Sequence, residues 1–172
     1  MKPTPALFPA FALLLPGIVN AAVFMDTEWA KQACDKWNQS EPLTVELGGD
    51  AFAENNAGRG YKIIHLYRDH CGEGTRQQLT ISSQDGKAIC TYGGPPIERK
   101  LNPKVDYLMH ATDDDWACMG KGQFGCGPMG AMMSGKLKFV GPKFEVMNVI
   151  GPFESFLRLT GAVAGDTGAC PK

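Results

Sequence analysis

The chain has 172 residues, 17 Lys plus Arg against 18 Asp plus Glu, and a formal net charge of −1. That balance, with no basic run and no aromatic-basic stripe, argues against a nucleic-acid partner. The length suits one domain with a sizeable core, and 21 glycines and 12 prolines point to short elements joined by many turns.

Lys2 is the only charge before Asp26, and residues 6–19 between them are almost wholly apolar. A basic start followed by a short apolar stretch and small residues reads as a signal peptide. The stretch is shorter than the ~20 residues of a membrane span, and Pro9, Pro16 and Gly17 break it. The small residues Ala21 and Ala22 place the cut after Ala21 or one residue later. The domain organisation expected is therefore a signal peptide over 1–21 and one domain over 22–172, with 172 − 21 = 151 mature residues. Such a chain would be periplasmic or secreted.

In an exported chain, the even set Cys34, Cys71, Cys90, Cys118, Cys126 and Cys170 reads as three disulfides. Cys118 and Cys126 flank a glycine-rich loop and are the easiest local pair. Cys71 and Cys90 lie at or on neighbouring expected strands and come second. That leaves Cys34 with Cys170, tying the tail to the first helix. Six cysteines allow many other pairings.

Asp26 or Thr27 can cap a helix to about Asn38, with Trp29, Ala33 and Trp37 on one face and Ala30 and Cys34 beside them. That face is read as a core anchor. Residues 40–60 are rich in turn formers and leave room for one short helix. Strands are expected over 61–67, 77–82, 87–92 and 105–111, with Asp85-Gly86 as a hairpin turn. Four strands in succession imply an antiparallel meander. Thr112 and Asp115 have capping-box spacing ahead of Trp116 and Met119. A short helix from Pro128 puts Met129, Met132 and Met133 on one face, and Gly135 ends it. A fifth strand is expected over 136–140. Gly141-Pro142 opens a helix carrying Phe144, Met147 and Ile150. Gly151-Pro152 opens another, with Phe153, Phe156, Leu157 and Thr160 at helical spacing. The small, polar tail from Gly161 frays unless Cys170 pins it.

Catalytic patterns are scarce. The loop over 120–125 formally fits GxGxxG, but it follows a helix and not a strand, so it does not read as a dinucleotide site. Asp113, Asp114 and Asp115 suit a helix N-terminus without a metal. His65 and His70 are read on one strand with opposite orientations, and His110 stands apart. No GxSxG elbow or HExxH pair occurs. No catalytic residue, metal or cofactor is called for.

The apolar side chains stand out. Met129, Met132, Met133, Phe139, Phe144, Met147, Ile150, Phe153, Phe156 and Leu157 crowd into residues 129–157, with four of the eight methionines among them. Methionine is pliable and suits a cavity for varied apolar guests. An ordinary packed core has the same composition.

Two segments resemble a known family. VDYLMHATDDDW at 105–116 looks like the fourth strand and acidic-capped helix of the sterol carrier protein-2 family. GAMMSGKLKFVGP at 130–142 is similar to that family's most recognisable stretch, and Asp85-Gly86 sits at its turn between strands two and three. The family-like core covers about 60–161. The resemblance implies an α+β fold: a five-stranded, mostly antiparallel sheet with helices over one face around an apolar tunnel. It also implies a non-catalytic binder of sterols, fatty acids, fatty acyl groups or other lipids. On this reading the ten apolar side chains between Met129 and Leu157 would line or close the tunnel. Export and the six cysteines depart from the family pattern.

The expected function is thus an exported carrier or transfer protein for an apolar small molecule, with transient membrane contact and an envelope protein as further partners. Ten buried methylenes yield about 8 kcal/mol gross, and association takes back at least about 4 kcal/mol, which suits a loose carrier. One rival is an interaction module of the same fold with a filled core, seated in the cell envelope. Another is an exported enzyme assembled from His65, His110 and an aspartate of 113–115.

Overall fold

The first capped segment folds as its spacing requires. In the computed structural model, which describes residues 22–49 and 51–172, helix α1 spans Thr27–Asn38. The Asp26 carboxylate caps it, accepting from the Trp29 N–H at 2.7 Å. Trp29, Ala30, Ala33, Cys34 and Trp37 are all buried. Each indole of this face also finds an acceptor, Trp29 on the Val163 carbonyl at 3.3 Å and Trp37 on the Ala88 carbonyl at 2.9 Å. The expected signal peptide over 1–21 lies outside the described residues.

Two short helical pieces occupy the turn-rich region that follows. Pro42–Glu46 forms a π-helical turn and α2 spans Ala51–Glu54. Leu43, Leu47 and Phe52 drop from this region into the core. Gly48 is needed where it stands. A Cβ there would lie 2.3 Å from the Gly86 carbonyl oxygen and 2.4 Å from Lys87 Cα.

Five strands follow: β1 (Tyr61–Arg68), β2 (Gln77–Gln84), β3 (Lys87–Gly94), β4 (Tyr107–Ala111) and β5 (Lys138–Val140). The Asp85-Gly86 turn has φ of 48° and 72°, the positive pair that a two-residue hairpin needs. The sheet order is β3-β2-β1-β4-β5. Three ladders are antiparallel, but β1 and β4 run parallel. The expected meander is therefore wrong at its last step. Residues 95–106 do not turn back beside β3. They run back across the sheet, and the Gln78 side chain accepts from the Ile97 and Glu98 N–H groups at 3.0 and 3.1 Å. Asp106 ends the crossing by accepting from the Ile63 N–H at 3.0 Å and from Arg59. This connection delivers β4 to the far edge of β1, where only a parallel strand fits the chain direction.

On one face of the sheet, Ile64, Leu66, Leu79, Ile81, Tyr107 and Met109 join the main core with the helices. On the other, Ile63 and His65 are buried outside that cluster. Helix α3 (Asp113–Gly120) starts on the expected capping box. Thr112 Oγ1 accepts from the Asp115 N–H at 3.2 Å and donates to its carboxylate at 2.7 Å. The helices α4 (Pro128–Met133), α5 (Lys143–Asn148) and α6 (Ile150–Ala162) follow. Helices α3 and α6 touch through glycine. A Cβ on Gly120 would lie 2.6 Å from Gly161 Cα, so only hydrogen fits there.

Cys118 and Cys126 are joined, as the local reading expects. The other two pairs differ from expectation: Cys34 bonds Cys90 and Cys71 bonds Cys170. Cys90 is on the core face of β3, which packs against α1 and hence against Cys34. Cys71 is not on a strand but in a 3₁₀ turn, Asp69–Cys71, where the C-terminal tail passes. His70 is in that turn too, so it shares no strand with His65. The tail is held by Arg68, which is fully buried. Its guanidinium grips both Asp113 oxygens at 2.7 Å and donates to the Thr167 and Ala169 carbonyls at 2.6 Å. Val23 adds a parallel bridge to Asp166. Among the described residues no helix is long and apolar enough to cross a membrane.

Candidate functional site

The core is incompletely filled where the sheet meets α5 and α6. A cavity of about 30 Å³ lies there. Its floor is the sheet, through Ile64, Tyr107 and Met109. Trp37 of α1, Leu47 and Phe52 form one wall. Val146 and Val149 form a second, and Pro152, Phe153 and Phe156 of α6 a third. The walls are apolar throughout, apart from the Tyr107 hydroxyl. An engineered cavity of about 150 Å³ takes up benzene, so this one admits an alkyl chain only if a wall moves.

One wall is the short helix α5. It has six residues and sends Val146 inward. Its opposite face carries Phe144, 89 % exposed, and Met147, also exposed. The face marked by Phe144, Met147 and Ile150 in the sequence thus points to solvent, and Val146 and Val149 point to the cavity.

The other expected wall residues are dispersed. Phe153 and Phe156 line the cavity with their rings stacked 6.3 Å apart. Phe139 is half-buried behind them, 6.1 Å from the Phe153 ring and 5.6 Å from the Tyr107 ring. Leu157 is buried in the core, and Met132 packs against it from the edge. Met129 is exposed, and Met133 is 82 % exposed. Sequence reasoning missed Leu47, Phe52, Val146 and Val149 as wall residues. Their only signal was apolar character inside a turn-rich stretch or on the weaker face of a short helix.

A buried charged pair stands next to the cavity, behind Phe52 and Tyr107. Lys62 on β1 is 1 % exposed and pairs with Glu145 of α5, whose side chain is 9 % exposed. The Tyr107 hydroxyl also donates to Glu145, as does Asn55 Nδ2 at 2.6 Å. The Lys62 ammonium lies 4.2 Å from the Phe52 ring centre and 5.0 Å from that of Tyr107, both cavity walls. Burial pushes the lysine pKa down, and Glu145 opposes the shift. Burial and the Glu145 carboxylate both raise the Tyr107 pKa, so its hydroxyl stays a donor.

The histidines and aspartates do not converge on this site. His65 is fully buried beneath the crossing segment and contacts Gln78 at 3.4 Å, and burial lowers its pKa. His110 Nδ1 lies 2.6 Å from Asp69, with its ring stacked on Tyr67 at 4.4 Å. The Arg68 hydrogen bond holds Asp113 below the usual carboxylate range. Asp115 pairs with Lys136 at 3.3 Å. His70, Cys71 and Cys170 lie within 4.8 Å of one another, a spacing that could suit a metal, but both sulfurs are consumed in a disulfide.

No family model and no curated protein matches this chain. Among solved structures it is similar to a crystal structure of sterol carrier protein 2, with 16 % identity over 81 % of this chain and 98 % of that chain and a TM-score of 0.48. It is similar to the solution structure of a conserved hypothetical protein of Thermus thermophilus, with 16 % identity over 87 % of this chain and 99 % of that one and a TM-score of 0.48. A third is the solution structure of the sterol carrier protein domain 2 of Helicoverpa armigera, with 16 % identity over 79 % and 95 % and a TM-score of 0.42.

Proposed function

We propose that the chain is an exported, non-catalytic binding protein that carries or transfers an apolar ligand: a sterol, a fatty acid, a fatty acyl group or another lipid. The observation that carries this reading is the apolar cavity between the sheet and α6, walled on one side by the short helix α5. Displacing α5 would widen the cavity and leave Phe153 and Phe156 as the wall that grips an alkyl chain. Three disulfides belong to an oxidising compartment, which supports a periplasmic or secreted location. No catalytic role is assigned, because His110, Asp113 and Asp115 each pair with a structural partner and His65 is fully buried away from them, with Gln78 as its contact.

Native mass spectrometry of protein purified from an oxidising compartment, followed by solvent extraction, tests the proposal. A stoichiometric lipid supports it. Phe156→Asp should abolish that uptake, because it sets an unpaired charge in the apolar wall. An unliganded mass that persists after incubation with mixed fatty acids and sterols refutes it. That second outcome would favour an interaction module with a filled core, a reading that the exposed Met133 and Phe144 support.

A further inference from the structure

Lys62 lies two residues before the floor residue Ile64 on the same sheet face, and its ammonium ends beside the rings of Phe52 and Tyr107, two residues that line the cavity. Its anion is Glu145. That anion is not part of the sheet. It belongs to α5, next to the wall residue Val146.

This arrangement couples opening to charge. Any movement of α5 that enlarges the cavity also carries Glu145 away from Lys62. The ammonium would then be left beside the apolar cavity with only the Tyr107 hydroxyl, at 3.5 Å, and two ring faces. An unpaired buried charge is strongly unfavourable. A neutral ligand leaves that penalty in place, whereas a ligand with its own carboxylate removes it.

We propose that the cavity selects an anionic amphiphile, a long-chain carboxylic acid, whose carboxylate replaces that of Glu145 on Lys62 and the Tyr107 hydroxyl while its chain fills the space between the sheet and α6. This inference rests on the binding function proposed above and adds the head-group class. Glu145 then acts as an internal competitor: it keeps Lys62 neutralised in the empty protein and yields it to the ligand. Sterols and fatty alcohols, which carry no anion, are the disfavoured class.

The test is displacement of N-phenyl-1-naphthylamine, a neutral fluorophore, from the disulfide-bonded protein. Palmitate, hexadecanol and methyl palmitate are the competitors, each below its aggregation threshold. A charge-assisted hydrogen bond supports a preference of about tenfold or more, so palmitate should displace the fluorophore at about a tenth of the hexadecanol concentration or less. Lys62→Met should erase that preference, because it weakens palmitate and, with no charge left to strand, tightens hexadecanol. Glu145→Gln, which leaves no pair to break on opening, should tighten palmitate and hexadecanol alike and keep the preference for palmitate. The comparison of ligands on the unaltered protein needs no variant, and emission from buried Trp29, Trp37 and Trp116 checks that each variant is folded. If the fluorophore and all three competitors bind equally well, with Lys62→Met making no difference, the head-group inference fails and the binding function stands. If nothing binds, the binding function itself fails.

Discussion

Replacing Glu145 by leucine would leave Lys62, 1 % exposed, with one hydroxyl at 3.5 Å and no anion. The Tyr107 hydroxyl would lose its acceptor, and Asn55 would keep only the Lys104 carbonyl at 3.2 Å. Removing one partner of a buried pair costs about 3–5 kcal/mol, and Glu145→Leu should fall in that range. Lys62→Met is a smaller perturbation. Methionine keeps an unbranched stem of similar shape against Phe52, and Glu145 retains two donors, Tyr107 and Asn55. Its expected cost is about 1–2 kcal/mol. The double variant carries no stranded charge and should be more stable than Glu145→Leu alone, with a coupling of about 2 kcal/mol or more. Urea midpoints at unchanged m-value, followed by tryptophan emission, give all three numbers. The reasoning is refuted if the single costs simply add, or if Glu145→Leu costs under about 1 kcal/mol.

Three further outcomes are expected. Phe156 is buried against Phe153 and Trp37, so Phe156→Ala should cost about 3–5 kcal/mol and enlarge the cavity, with uptake of small aromatic guests by calorimetry as the second readout. Serine pairs in place of each disulfide should lower Tm in the order of the loops closed: Cys71–Cys170 (separation 99), Cys34–Cys90 (56), Cys118–Cys126 (8). Chain entropy predicts about 4.7 kcal/mol for the largest loop, and scanning calorimetry showing the smallest loop as the costliest would contradict this. Burial depresses the His65 pKa, so its contribution is complete above the unfolded value of about 6.5 and is lost as pH falls from there towards the folded value. Urea midpoints at about pH 7.5 and about 5.5 should differ for the unaltered protein by more than for His65→Leu, with a limiting slope of about 1.4 kcal/mol per pH unit; equal slopes would remove His65 as the cause.

Much of the fold is legible in the sequence because its determinants are close in the chain. Asp26 caps Trp29, Thr112 caps Asp115, Asp85-Gly86 closes two strands, and Cys118 reaches Cys126 across one loop. Each rests on backbone dihedrals and contacts within a few residues, and each is visible without knowing where the chain goes next. Spacing also reveals that α5 and α6 are amphipathic, but not in which direction α5 turns. It has an apolar residue on either side, and the neighbouring sheet selects Val146 and Val149 over Phe144 and Met147. The parallel register of β1 and β4, the two long-range disulfides and the Lys62–Glu145 pair all lie beyond local signals. The register of β4 and the Lys62–Glu145 pair depend on the route of residues 95–106 across the sheet, Cys34–Cys90 on the packing of α1 against β3, and Cys71–Cys170 on the return of the tail. Local patterning specifies elements and their apolar faces; only the closing of long loops decides which faces meet and which buried charges find one another.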